Sequence, residues 1–146
     1  MNLFGVLDIN SSALAAERER AEVVASNLAN AETTRTANGG PYQRQWVVFG
    51  TVRPGQASFA HTMAQFGDFH ARGVKVAQVV QDQSPPIRRY EPGHPDADAQ
   101  GYVSFPDINP VEEMVNLLGA SQAYQLNVAA TQATKSMISE TIQILS

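Results

Sequence analysis

The sequence predicts an α+β fold: long N- and C-terminal helices that pack as a coiled-coil-like core, with a small β-rich insertion between them. Three observations carry this reading. Apolar residues recur every seven positions near both ends, the middle alternates apolar and polar residues between Gly and Pro breakers, and capping signals stand where the two regimes meet. The predicted division is 1–34 and 109–146 for the helical core and 35–108 for the insertion, with an irregular loop near 51–72.

At the N-terminal end, Leu7, Leu14, Ala21 and Leu28 share one heptad position, and Leu3, Val24 and Ala25 fill the same face, so a helix is predicted from Leu3 to about Leu28. Asn10, Ser11 and Ser12 are weak helix formers able to cap a fresh start, which allows a kink or break there. Glu17, Arg18, Glu19, Arg20 and Glu22 form a mixed-sign patch with Arg18 and Glu22 at i,i+4, a solvated or subunit-facing stripe. Asn27 and Asn30 end the helix. Two readings of their amides stand open: caps that bond the local backbone, or bridges to a neighbouring backbone.

In the middle, Tyr42–Phe49 is aromatic and β-branched and reads as a strand bounded by Gly50. Arg53–Arg72 has no steady period and reads as a loop or irregular hairpin tip. Gly73–Val80 alternates and precedes the breaker Pro85-Pro86; Ile87–Tyr90 and Gly101–Phe105 read as two further strands, the second stopped by Pro106.

The C-terminal helix opens on Asn109 as N-cap, Pro110 at the first helical position and Glu112 near the place of a capping box. Two heptad series follow, Leu117, Tyr124, Thr131, Ile138, Leu145 and Met114, Ser121, Val128, Lys135, Ile142. At about 1.5 Å per residue the helix is roughly 50 Å long, more than a compact core of this size needs, so its apolar stripe requires a partner outside the monomer. Gly119, Ala120, Ser121, Ala123, Ala129, Ala130, Ala133 and Ser136 are small where an autonomous coiled coil carries Leu or Ile. Such a face permits close approach but buries little area per helix, so many helices must surround it. Leu7, Leu14, Ala21, Leu28, Met114, Leu117, Tyr124, Val128, Ile138 and Leu145 are therefore the expected subunit-interface residues.

Composition narrows the function. With 146 residues, 43% hydrophobic and 16% charged, the chain is long enough for a core. A net charge of −4, with ten dispersed Lys and Arg, disfavours nucleic acid. The absence of Cys excludes thiol catalysis, thiolate-bound zinc and disulfides. Met1–Asn10 does not resemble a cleaved secretory signal, having no Lys or Arg and an Asp8 in its apolar run, and no stretch approaches the roughly 18 apolar residues of a membrane span.

His61, Asp68 and His70, and separately His94, Asp96 and Asp98, are metal-capable but lack a fixed ligand frame. Asp96-x-Asp98-x-Gln100-Gly101 partly matches a calcium loop. Gln100 and Asp107 stand where Asp or Asn and Glu are needed, and Pro92, Gly93 and Pro95 forbid the incoming helix, so the segment reads as a turn into a strand. Neither a nucleophile elbow nor a phosphate-binding loop occurs, and Glu112 and Glu113 suit a helix N-terminus. The expectation is a non-enzyme without catalytic residues, metal or cofactor. The alternative is a monomeric periplasmic binding module whose two helices pair within one domain.

Several stretches together resemble the flagellar axial family of basal-body rod proteins. They are Ser26-Asn27-Leu28-Ala29-Asn30-Ala31, Pro41-Tyr42 with Val47-Val48-Phe49, Gly73-Val74-Lys75-Val76, the run from Tyr90-Glu91-Pro92-Gly93 to Gly101-Tyr102-Val103, Glu113-Met114-Val115-Asn116, Tyr124-Gln125-Leu126-Asn127-Val128 and Lys135-Ser136-Met137. The resemblance covers nearly the whole chain outside Thr51–Arg72. The motifs holding Asn27 and Asn30, and Tyr124, Gln125 and Asn127, are shared by rod, hook and hook-associated proteins. The run with Tyr90, Pro92, Gly93, Gly101 and Tyr102 singles out one rod type. Gln122 and Leu126 depart from the family, which often has Arg and Ala there.

The resemblance implies a structural subunit of the proximal rod, the drive shaft carrying motor torque to hook and filament. It implies as partners other rod proteins (of the FlgB, FlgF, FlgG and FliE types), copies of itself and the flagellar type III export apparatus. It places the chain in the basal body within the periplasm, exported without a cleaved signal peptide. Its terminal helices would then pack in layers through head-to-tail contacts that extend as a tube.

Overall fold

The computed structural model describes residues 3–37, 39–52 and 73–145, with the side chains of Leu3, Phe4 and Leu145 outside the described set. Six elements follow in order: α1 (Leu3–Ala29), β1 (Gln45–Thr51), β2 (Val74–Gln81), β3 (Ile87–Tyr90), β4 (Tyr102–Phe105) and α2 (Pro110–Leu145). Two long helices enclosing a small sheet region in sequence is the α+β arrangement expected. The expected loop near 51–72 falls almost wholly outside the described residues.

Helix α1 runs unbroken through Asn10, Ser11 and Ser12. Ser12 explains why no break occurs: its Oγ donates to the Ile9 carbonyl at 2.7 Å and accepts the Val74 N–H at 3.1 Å. The weak helix former is held by the strand beside it. Gly73 makes that approach possible, since a Cβ there would lie 2.3 Å from Ser12 Oγ.

Strand β1 begins three residues later than expected and passes through Gly50. Tyr42 is occupied elsewhere, its N–H bonding the Thr33 carbonyl at 3.0 Å in the turn after α1. Pairing with β2 is marked by Asp82 N–H to the Arg44 carbonyl (2.7 Å) and Val52 N–H to the Gly73 carbonyl (2.9 Å), an antiparallel sense. Arg44 to Val52 is eight steps while Gly73 to Asp82 is nine, so β2 carries one extra residue, the signature of a bulge. The alternation of β2 accordingly ends after Val76, and Ala77–Gln81 are all exposed.

Strands β3 and β4 form a second two-stranded sheet, antiparallel, from Ile87↔Phe105 to Tyr90↔Tyr102. Val103 and Phe105 are buried. The other face shows Tyr90 and Tyr102, centroids 5.3 Å apart at 64°, an edge-to-face pair. The connecting loop is organised by Asp98, whose Oδ1 accepts the N–H groups of Gln100 and Tyr102, both at 2.9 Å. Gly101 takes a positive φ of 84° there.

The chain forms two compact units, one of Met1–Glu19, Phe49–Ala77 and Ser121–Ser146, the other of Arg20–Val48 and Gln78–Ala120. Val24, Val103, Phe105, Ile108 and Ala120 make the apolar core of the second.

Helix α2 starts as expected, with Asn109 Oδ1 accepting the Val111 N–H at 3.0 Å. Its buried positions belong to neither heptad series read from the sequence. Glu113, Ala120 and Thr134 are buried and Asn127 half-buried, seven residues apart. Polar side chains are tolerated on this face because the helix satisfies them itself: Asn127 Nδ2 donates to the Ala123 carbonyl, and Thr131 and Thr134 hydroxyls to the Asn127 and Ala130 carbonyls.

Replacing Gly101 by Ala is expected to cost about 1–3 kcal/mol, because φ is positive and the new Cβ would sit 2.9 Å from Tyr90 Cε2 and 3.2 Å from Pro92 Cβ. Urea unfolding measures this directly. An unchanged midpoint would show that the loop relaxes freely.

Candidate functional site

Within the second unit, a buried polar cluster joins the last turn of α1, the start of β1 and the first turn of α2. Asn27, 1% exposed, faces the strand because α1 runs on past it to Ala29. Its amide pairs with Gln45 as a strand would: Nδ2 donates to the Gln45 carbonyl and Oδ1 accepts the Gln45 N–H, both at 2.9 Å. The same Oδ1 accepts the Tyr42 hydroxyl at 3.1 Å, and Nδ2 also donates to Glu113 Oε2 at 3.1 Å. Of the two readings of the asparagines, Asn27 is therefore the bridge and Asn30 the cap. Asn30 Nδ2 donates to the Ser26 carbonyl at 2.9 Å, and its Oδ1 accepts the Thr33 hydroxyl.

Glu113, also 1% exposed, is a buried carboxylate and needs a counter-charge. Arg44 supplies it, donating from one guanidinium nitrogen to Glu113 Oε1 and to Glu112 Oε1, the latter at 3.0 Å. Burial pulls the Arg44 pKa down, but the bonds to Glu112 and Glu113 outweigh it and hold the group above its ordinary value. The guanidinium lies 3.9 Å from the Trp46 ring centroid, a cation–π contact. Trp46 in turn donates Nε1–H to Asp82 at 3.4 Å. Three sequence-distant segments are thus tied by one set of charge-assisted bonds. The cluster offers rigidity and orientation.

The sequence reading missed Arg44 and Glu113 as a pair. A lone cation inside the aromatic run Tyr42–Phe49 was one available signal. The seven-residue spacing of Glu113 from Ala120 was another, hidden by the expectation that carboxylates near a helix start serve the dipole.

The expected interface residues are distributed differently. Leu7, Leu14, Ala21, Leu28, Leu117, Val128 and Ile138 are half-buried, whereas Met114 and Tyr124 are exposed. The side chain of Leu145 lies outside the described residues. Of the motif residues, Gln125 is exposed and Asn127 bonds its own helix. Tyr90, Pro92, Gly93, Gly101 and Tyr102 stand together at the β3–β4 hairpin end, where the Glu91 N–H closes the loop on the Gly101 carbonyl at 2.9 Å.

The calcium-like run is that loop, and its polar groups have other duties. Asp96 Oδ2 accepts the Thr34 hydroxyl at 2.8 Å, His94 Nδ1 accepts the Asp96 N–H, and Asp98 binds backbone and Arg88. Among the described residues no group of three or more His, Asp or Glu is placed to hold a metal ion, and His61, Asp68 and His70 lie outside them. No helix among the described residues is long and apolar enough to cross a membrane.

Comparison with known proteins places these features in a common setting. Residues 7–35 match the family model described as flagella basal body rod protein, and residues 99–144 match that of the flagellar basal body rod FlgEFG protein C-terminal region. The chain is similar to the flagellar basal-body rod protein FlgC of Salmonella typhimurium, 43% identical over 145 residues, covering 99% of this chain and 98% of the relative. Likewise it is 38% identical over 148 residues to FlgC of Bacillus subtilis and 37% over 150 residues to that of Borreliella burgdorferi, covering 99% of each chain in both cases.

Asn27→Asp keeps the shape but turns the donor toward Glu113 into a second carboxylate, and a loss of about 2–4 kcal/mol is expected in chemical denaturation. A variant as stable as the parent would show that the cluster is incidental. Asp98 provides a pH test. The Tyr102 N–H bond, opposed by desolvation and aided by Gln100 and Arg88, holds its carboxyl below the usual range. A depressed carboxylate stabilises fully above its unfolded pKa of about 3.9, and that stabilisation is lost as pH falls through the lower folded value. Asp98→Asn should therefore flatten the stability profile in acid below about pH 4; an identical acid profile would contradict this.

Proposed function

Because the chain belongs to the family of flagellar basal-body rod proteins of the FlgC type, a structural subunit of the rod, we propose that it polymerises through its terminal helices in the proximal rod. There it would pass motor torque toward hook and filament, packed against other rod proteins and copies of itself where the rod crosses the periplasm. Its role is mechanical, with no catalytic step.

One observation supports the assembly surface above the rest. On the side of α2 opposite Glu113 and Ala120, Val111, Val115 and Leu118 recur at helical spacing and are exposed, and Leu126, Met137 and Ile144 are exposed further along the helix. Gln122, Ala129 and Ala133 continue the stripe, and Glu140 stands on it between Met137 and Ile144. At about 1.5–3 kcal/mol for each large apolar side chain fully buried, covering it is worth on the order of 10 kcal/mol per copy, a strong drive for association. Small residues along it let a neighbouring helix come close.

Leu118 is 70% exposed and Leu126 65%, so Asp at either position should change the stability of the isolated subunit by only about 0.5 kcal/mol. In the assembled rod the same carboxylate would be buried without a partner, in every copy. The expected phenotype is a folded, soluble subunit and cells with neither hook nor filament. Normal numbers of rotating flagella in Leu118→Asp and Leu126→Asp cells would remove this face from the assembly.

A further inference from the structure

We propose that the cleft between the turn after α1 and the β3–β4 hairpin binds a neutral saccharide. The cleft has a volume of about 440 Å³, within the range of roughly 300–1,000 Å³ typical of small-molecule sites, and it lies wholly inside the second unit. Thr34 and Arg35 line one side; Asp96, Asp98, Tyr102 and Ser104 line the other.

The charges of the cleft select the ligand class. Arg35 stands 3.6 Å from Asp96, and Arg88 is ion-paired with Asp98, so each carboxylate is matched by a guanidinium. A site neutral in sum favours neither a phosphate nor a cation. What it presents is hydroxyls, carboxylate oxygens and a guanidinium 79% exposed, a mixture of donors and acceptors suited to many hydroxyl groups. Asp96 Oδ1 keeps acceptor capacity, since its Arg35 contact is longer than a hydrogen bond and the Thr34 hydroxyl uses Oδ2.

At the rim, Tyr102 supplies an aromatic surface of fixed orientation. Arg88 lies 5.1 Å from its ring centroid and Tyr90 meets it edge to face, yet 41% of Tyr102 remains exposed. A pyranose has the matching form: axial C–H groups lie on an aromatic ring while equatorial hydroxyls reach planar side chains around it. A rigid aromatic beside a charge-balanced polar cleft binds such a ligand with little ordering cost.

The test is an NMR titration of the full chain with a β-1,4-linked N-acetylglucosamine tetramer, with inorganic phosphate and a proline-rich peptide in parallel. The expected result is saturable shifts of the Thr34, Asp96, Tyr102 and Ser104 amides with the tetramer alone. Tyr102→Ala should weaken binding about tenfold. Arg35→Ala, at an exposed position that leaves the fold intact, should weaken it about threefold. No shift at millimolar tetramer, shifts elsewhere on the chain, the same shifts from phosphate or peptide in place of the tetramer, or binding unchanged by Arg35→Ala would each overturn the proposal.

Discussion

A carboxylate buried at Glu113 cannot stand alone, and much of the second unit follows from that constraint. Removing a charge from water costs several kcal/mol unless a counter-charge and hydrogen bonds replace the solvent. Arg44 must therefore sit at the foot of β1, and Asn27 must turn its amide toward both Glu113 and the strand backbone. A buried ion pair adds little net stability against an apolar alternative, but it is intolerant of misplacement. If the helices meet neighbours in a set register, as proposed, that intolerance is useful. The last turn of α1, the first turn of α2 and the strand between them are located relative to one another by directional bonds, where Ala-rich packing would allow sliding.

The two faces of α2 divide its duties. One, spaced by sevens through Glu113, Ala120, Asn127 and Thr134, is small or polar and is used within the chain. Another, through Val111, Val115 and Leu118, is apolar and exposed in the single copy. A monomer designed for solution would hide its leucines and show its threonines. The inversion is intelligible under the proposed assembly, in which the outward face would become interior.

Element types were legible in the sequence because they rest on local periodicity and breakers: both helices, the Asn109 cap, and β3 and β4 stand close to where Pro, Gly and alternation place them. The face of α2 buried in the single chain was not, because counting apolar residues passes over small and polar positions. Met114 and Tyr124 were chosen by that rule; Ala120 and Thr134, too small or too polar to score, occupy the inner face. The continuity of α1 through Ser12 depends on the Val74 N–H, and the bridging role of Asn27 on Gln45. Both partners are distant in sequence, so no local pattern announces them. The turn at Asp98 was legible as a turn because Pro92, Gly93, Pro95 and Gly101 exclude a helix.

Native-state hydrogen exchange of the isolated chain tests the central role of the buried cluster most directly. The Gln45 N–H bonds a side chain, Asn27 Oδ1, and the Glu113 N–H bonds the Asn109 carbonyl at the first turn of α2. If the cluster orders these segments as one unit, both amides exchange through the same opening, with a common free energy that falls together in Asn27→Asp. Rapid exchange at Gln45 while Glu113 stays protected would show that β1 and α2 order independently, and that Asn27, Arg44 and Glu113 do not hold them.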